Sequence, residues 1–263
     1  MRLIAIVYRS FMSALLTLFW GGLSICISFF DDPYAKRAAR ILRFWGRGIL
    51  WTCGIKMQQR GRERLDPNRA YLFMANHQSN FDVPIVMAAV DTLQMRWVSK
   101  RAVRKVPVIG LCMQCTHQVF VDRESPTQAL AVIRQVKKLL KADISVAFFP
   151  EGTRTRDGRL QDFKPGGFAV AVEAGVPVVP ISIKGSGALW PPGGLDIRPG
   201  TVEVIFGDPI FVTPHVNKKA AREELLVKVR AAIAAQLQEE TPPPPAAAPP
   251  VLVPTSAPEP PTS

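Results

Sequence analysis

Cysteine is sparse in this chain, four among 263 residues, and nowhere densely spaced. That excludes a small disulfide-stapled scaffold and fits a reducing compartment. Acidic residues are outnumbered, 21 Asp and Glu against 33 Lys and Arg, for a formal net charge of +12. The deficit implies an anionic partner: nucleic acid, an anionic membrane or a phosphorylated substrate. Internal repeats are absent. The composition is otherwise ordinary, with 48% hydrophobic and 21% charged residues, which excludes a mostly disordered chain. The length suits one generous domain, or one domain with appendages.

Two segments lack charge for different reasons. The last 23 residues, from Thr241, hold ten Pro and one charged residue. Proline removes backbone donors and fixes φ, so 241–263 reads as a disordered Pro/Ala-rich tail outside the folded part. Residues 11–30, FMSALLTLFWGGLSICISFF, carry no charge at all. They are long enough to span hydrocarbon, although Gly21 and Gly22 interrupt the middle. A cleaved leader, a spanning helix, and a buried or half-inserted helix all remain open here. The flanking SFFDDPYA is a poor cleavage site.

The next stretch is basic. On a helix, Lys36, Arg40, Arg43 and Arg47 share one face, and Tyr34, Ala38, Ile41, Leu42, Trp45 and Ile49 lie opposite. That pattern predicts a helix lying in the membrane interface, its cations on anionic lipid at about 1 kcal/mol each. The alternative is a solvated face on a helix packed against the core. Residues 1–58 are therefore expected to form an N-terminal membrane-associated helical segment, and 59–240 the main domain.

Within that domain, short apolar runs alternate with helical spacing. Strands are expected at 71–75, 95–99, 117–121, 144–149, 176–183 and 201–206. Helices are expected from Pro84 to about Val90, at 126–142, at 165–174 before Gly175, and at 217–238. The alternation predicts an α/β fold with a largely parallel central sheet flanked by helices. Sites on such sheets lie beyond the carboxyl ends of strands, and two polar clusters sit there.

The first cluster is NHQSNFD, with His77, Ser79 and Asp82. Five residues along a helix leave His77 and Asp82 about 140° apart, so one straight helix cannot bring them together. Pro84, however, belongs in a first helical turn. That places Asp82 near the helix start and His77 in the preceding loop, from which the imidazole can fold back onto the carboxylate. Such a pair is a general-base device. The bland alternative is a helix-capping Asp82 beside a surface His77. The second cluster runs from Phe149 to Arg154. Gly152 permits a positive φ or close backbone approach, and Arg154 presents a planar fork suited to phosphate. Lys100, Arg101, Arg104 and Lys105 add positive charge before Val106-Pro107.

Other features carry less. Cys112-x2-Cys115 with His117 lacks a second half-site for zinc. Gly185-Ser186-Gly187 is neither a P-loop nor a nucleophile elbow. The five Trp suit core or interface anchors better than a base-stacking platform. A nucleic-acid-binding protein would account for the charge but not for the uncharged run at 11–30.

Taken together, the clusters resemble the glycerolipid acyltransferases, specifically the 1-acyl-sn-glycerol-3-phosphate acyltransferase family. Asn76, His77, Ser79 and Asp82 match its NHxSxxD block. Phe149 to Arg154 match its FPEGTRS block, with Thr155 in place of Ser. Phe120, Val121 and Arg123 match its GxxFIxR block, with His117 where the family has Gly. Val176 to Ile181 match its proline block. The blocks fall in the family's order over roughly 60–215.

The resemblance implies a division of labour. His77 would deprotonate an acceptor hydroxyl that attacks an acyl thioester, and Asp82 would orient His77 and stabilise the imidazolium. No acyl-enzyme is expected, and Ser79 would make a structural hydrogen bond. Arg154, with Lys100 and Arg123, would hold the acceptor's phosphate. Glu151, with Gly152 and Thr153 beside it, would position the glycerol moiety or lock Arg154. No metal or other cofactor is implied, because a thiol is a good leaving group. The implied acceptor is 1-acyl-sn-glycerol 3-phosphate, with another lysophospholipid or lyso-aminolipid as the alternative. The implied donor is acyl-CoA or acyl-carrier protein, and the implied location is the cytoplasmic face of the cell membrane, monotopic or single-pass.

Overall fold

The computed structural model describes residues 2–91, 93–122, 129–213 and 217–238, so Arg123 and the tail from Thr241 lie outside the described residues. Eight α-helices are described: α1 (Arg2–Ser28), α2 (Lys36–Cys53), α3 (Asp82–Val90), α4 (Ile109–Cys115), α5 (Ala129–Lys141), α6 (Gly166–Ala174), α7 (Ser186–Leu189) and α8 (Lys218–Gln238). The strands are β1 (Ile55–Arg60), β2 (Leu72–Ala75), β3 (Met95–Lys100), β4 (Val119–Val121), β5 (Ser145–Phe148), β6 (Val178–Lys184) and β7 (Gly200–Phe206).

The strands form one sheet in the order β1-β7-β6-β2-β5-β3-β4. From β6 to β4 all neighbours are parallel, whereas β7 runs antiparallel to β6 and carries β1 parallel to itself. The central strands are buried on both faces, which is why they read as unbroken apolar runs. Alternate side chains of β2 feed two core layers. Phe73 and Ala75 join Ile49, Phe81, Ile85 and Val179 on the α2–α3 side. Leu72 and Met74 join Val136, Leu140, Phe168 and Val229 under α5, α6 and α8.

The first strand, β1, was not expected. Its sequence IKMQQR buries Ile55 alone, so it lacks the apolar run of a central strand. It forms an edge by pairing with β7 from Ile55↔Gly200 to Arg60↔Ile205. The expected boundary at residue 58 falls inside it, and the sheet begins at Ile55, immediately after α2. Helix α4 was also unforeseen; it is too short for periodicity to declare it.

The N-terminal helices require a larger correction. Helix α2 was expected to lay its apolar face in lipid. Instead Ala38 and Ile49 are buried and Trp45 is half-buried, with α2 held between α1 and α3. Trp45 Nε1 donates to Thr17 Oγ1 at 3.0 Å, and Ser24 Oγ donates to the Ala38 carbonyl at 2.8 Å. A Cβ on Gly46 would sit 2.6 Å from the Pro84 carbonyl oxygen, so that glycine admits α3. Part of the basic face is also paired, Arg47 with Asp91 at 2.8 Å and Arg43 with the same carboxylate at 3.6 Å. The open apolar surface belongs to α1, where Ile4, Val7, Tyr8, Phe11, Leu15, Leu18 and Phe19 are all exposed, joined by Phe44 and Trp51 of α2. Helix α1 is long and apolar enough to cross a membrane, which fits membrane association. It runs unbroken through Gly21 and Gly22, and Gly21 leaves room for Val108.

Arg96 pins the α1–α2 corner to the sheet. Its buried guanidinium donates to the Tyr34 carbonyl at 2.6 Å and the Met95 carbonyl at 3.0 Å. Burial lowers its pKa to about 10, against the pull of Asp32 and Asp31, and leaves it cationic at neutral pH.

Candidate active site

The polar clusters meet beyond the carboxyl ends of β2, β5 and β6. Asn76, directly after β2, brackets the backbone of Ile183 in β6. Its Oδ1 accepts from Ile183 N at 2.7 Å and its Nδ2 donates to Ile183 O at 3.0 Å. This fixes the strand end from which His77 projects. Pro84 stands in the first turn of α3, and Asp82 is the first residue of that helix. The intervening loop folds back, bringing His77 Nδ1 to 2.8 Å from Asp82 Oδ2.

Asp82 is fully buried and fully engaged. Its Oδ2 also accepts the backbone N–H groups of Gln78 and Ser79, each at 2.7 Å. Its Oδ1 accepts the Ser186 hydroxyl at 2.7 Å. An ionised carboxylate only accepts hydrogen bonds, so His77 presents Nδ1–H to it. That tautomer leaves Nε2 as the basic nitrogen. The His77 side chain is 17% exposed, enough for Nε2 to meet a substrate. Its ring stacks on Phe149, with centroids 3.8 Å apart and planes 9° apart, and Phe149 stacks in turn on Trp97 at 4.9 Å. Ser79 Oγ is spent on structure: it donates to the Trp190 carbonyl at 2.9 Å and accepts from Phe81 N at 3.1 Å.

Glu151 does not lie where the motif suggested. It is 2% exposed and faces neither Arg154 nor an open substrate surface. One oxygen accepts the His77 backbone N–H at 2.7 Å, the other the Gln161 N–H at 2.9 Å. Thr155 N donates to the His77 carbonyl at 2.9 Å, so both ends of that residue's backbone are clamped by the same loop. Burial raises the Glu151 pKa to about 7, despite the N–H bonds from Gln161 and His77 that favour its charged form; the charge of Asp82 adds to the rise. Buried in this way, the carboxylate serves the backbone of the site rather than an open ligand surface.

Gly152 turns the chain at φ 78°, a conformation that disfavours any residue with a Cβ. Thr153 is exposed, its hydroxyl 3.3 Å from Gln161 Oε1. Arg154 is exposed and makes no hydrogen bond or ion pair among the described residues, so its fork is available to a ligand. Lys100 is exposed at the carboxyl end of β3, two strands from β2 on the same edge of the sheet, and does not touch the His77 cluster. The structure thus joins His77, Asp82 and Glu151, sets Thr153 and Arg154 on the rim, and leaves Lys100 apart.

Ser186, Gln161 and Trp97 were not singled out as parts of this site. Ser186 lies 104 residues from Asp82 in sequence, a separation no local pattern reveals. Chemically, an oriented imidazole with an open Nε2 can take a proton from a hydroxyl, and an exposed guanidinium on the rim can hold a phosphate.

Comparison with known proteins points the same way. The family model described as Acyltransferase matches residues 56–184. A 1-acyl-sn-glycerol-3-phosphate acyltransferase of Pseudomonas aeruginosa is 33% identical over 193 residues, covering 72% of this chain and 73% of that protein. One from Chlamydomonas reinhardtii is 35% identical over 197 residues, covering 72% of this chain and 56% of its own length. The chain likewise spans half or less of its relatives from Arabidopsis thaliana and Brassica napus. The crystal structure of the 1-acyl-sn-glycerophosphate (LPA) acyltransferase PlsC from Thermotoga maritima superposes with a TM-score of 0.75. It is 25% identical, and the match covers 92% of this chain and 98% of that one.

Proposed function

The chain belongs to the 1-acylglycerol-3-phosphate acyltransferase family, and from that membership and its site we propose that it makes phosphatidic acid. It transfers a fatty acyl group from acyl-CoA or acyl-carrier protein to the sn-2 hydroxyl of 1-acyl-sn-glycerol 3-phosphate. The observation that carries this reading is the His77–Asp82 contact of 2.8 Å with Nε2 left open. Nε2 removes the hydroxyl proton as the oxygen attacks the thioester carbonyl carbon. The tetrahedral species collapses by breaking the carbon–sulfur bond, and the imidazolium returns its proton to the departing thiolate. Asp82 stabilises the imidazolium in between. Arg154 grips the phosphate, and Lys100 adds positive potential at the same edge of the sheet.

Purified enzyme offered both donor types and a panel of lyso-acceptors tests the assignment. The fastest turnover is expected with the phosphate monoester. Arg154→Lys keeps the charge but loses the bidentate fork, so its loss should fall chiefly on phosphate-bearing acceptors. An equal loss on an acceptor without phosphate would make Arg154 structural.

The enzyme sits in one leaflet, on the cytoplasmic face where both donors occur, with α1 half-inserted. Support comes from the two sides of α1. Its inner side rests on the domain, from Arg9 donating to the Ile197 carbonyl at 2.8 Å to Gly21 against Val108. Its outer side is a continuous exposed apolar stripe. Apolar burial is nearly independent of salt, whereas attraction between cations and lipid is screened. Full-length protein is therefore expected to stay in the membrane fraction through a high-salt wash and to need detergent for release. Replacing Leu15, Leu18 and Phe19 together by Ser should move it toward the soluble fraction. Release of the unaltered protein by salt alone would overturn the arrangement.

A further inference from the structure

The Gly185-Ser186-Gly187 turn is a sequence motif that the proposed chemistry leaves unused. It follows β6 directly and opens α7. Gly185 has φ 81°, in the region that favours glycine, and a Cβ there would lie 2.9 Å from the Thr201 carbonyl oxygen. A Cβ on Gly187 would lie 3.2 Å from Gln78 Oε1. The two glycines let the turn press against β7 on one side and against the loop carrying His77 on the other. Ser186, between them, is fully buried.

The Ser186 hydroxyl donates to Asp82 Oδ1 at 2.7 Å and is the donor on that oxygen among the described residues. The other oxygen, Oδ2, serves His77, Gln78 and Ser79 together. We infer that Ser186 is a positioning residue of the reaction: its hydroxyl holds the second oxygen of Asp82 and thereby fixes the reach and plane of the His77 imidazole. Two physical effects converge. A carboxylate held at one oxygen can still rotate about its Cβ–Cγ bond, and a bond to the other oxygen stops that rotation. A buried anion also needs every lone pair satisfied, and Ser186 supplies a charge-assisted donor in a site without water access. Because Ser186 lies behind Asp82 rather than toward the substrate, its effect belongs to turnover and not to acceptor binding. The inference rests on the general-base reading of His77.

The test is a double-mutant cycle in full-length, detergent-solubilised enzyme with 1-acylglycerol 3-phosphate as acceptor. Ser186→Ala is expected to lower kcat about 10-fold, the order of one lost hydrogen bond to a charged group, with KM changed less than about twofold. Ser186→Cys, close in size but a weak donor, should fall between Ser and Ala. In an Asp82→Asn background, Ser186→Ala should cost less than about twofold, because residues acting through one another are not additive. Near-normal kcat in Ser186→Ala, or a full 10-fold loss added to that of Asp82→Asn, overturns the inference. His77→Ala distinguishes the two layers. If it is inactive while Ser186→Ala is normal, only the role of Ser186 fails; if it stays active, the base reading fails and the inference with it.

Discussion

His77→Ala is expected to lower kcat by about 10²–10⁴, the usual loss on removing a general base, or roughly 3–5 kcal/mol of barrier. The fold should survive, because the residue is held by its backbone, which the alanine variant keeps: N–H to Glu151, carbonyl to Thr155. Asp82→Asn should come close to the same loss. Asp82 accepts from four partners, three of them on Oδ2. An amide can present only one acceptor oxygen. Its NH2 must then either oppose the His77, Gln78 and Ser79 donors or face Ser186, whose hydroxyl would have to turn and accept; in both cases the charge that stabilises the imidazolium is gone. Steady-state kinetics on purified, folded protein decide it. A His77→Ala enzyme that keeps more than about a tenth of normal kcat refutes the mechanism.

Glu151 should have the next largest effect, and its two consequences run in opposite directions with pH. Its carboxyl titrates near 4.5 when unperturbed and near 7 in the folded protein, chiefly because burial disfavours the charge. Between those values the folded protein holds a proton that the unfolded chain has lost. The stability that Glu151 contributes is therefore complete below 4.5, declines as pH rises to 7, and is flat above. The span is about 3 kcal/mol. Activity should move the other way. Only the carboxylate accepts freely from both His77 N and Gln161 N, so kcat should fall as pH drops through 7. Glu151→Gln places an NH2 group against one of those two donors, and a displacement of about 1 Å at His77 can cost about 10² in rate. Denaturant unfolding in mild detergent from pH 4 to 8 isolates the first effect: the stability difference between native and Glu151→Gln protein should change across the window. A constant difference would show that the burial cost is not carried by Glu151. A Glu151→Gln enzyme with normal kcat at pH 8 would sink the clamp.

Much of the site was legible because its logic is local. Pro84 can stand in a first helical turn, and that alone put Asp82 at the start of α3 and His77 in a loop able to reach it. Apolar runs marked β2, β5 and β6 as strands of a largely parallel sheet, and the polar residues that follow β2 and β5 had to emerge at one edge of it. The uncharged stretch at 11–30 announced a long apolar helix by length and composition. These follow from backbone geometry and from what can be buried, each within a few residues of chain.

Tertiary structure decided the rest, because partner choice is a long-range matter. An amphipathic pattern says that α2 has an apolar face, not what covers it; α1 and α3 cover it, and the exposed apolar stripe lies on α1. The motif around Glu151 marks a carboxylate, but whether it meets ligand or backbone depends on β2 lying beside β5, which brings His77 N to an oxygen 74 residues away. Ser186 reaches Asp82 only because β6 is the other neighbour of β2. The edge strand β1 has too few apolar side chains to declare itself and forms because β7 offers an unpaired edge. A hydrogen-bond donor in the sequence has no direction until the sheet order places an acceptor before it.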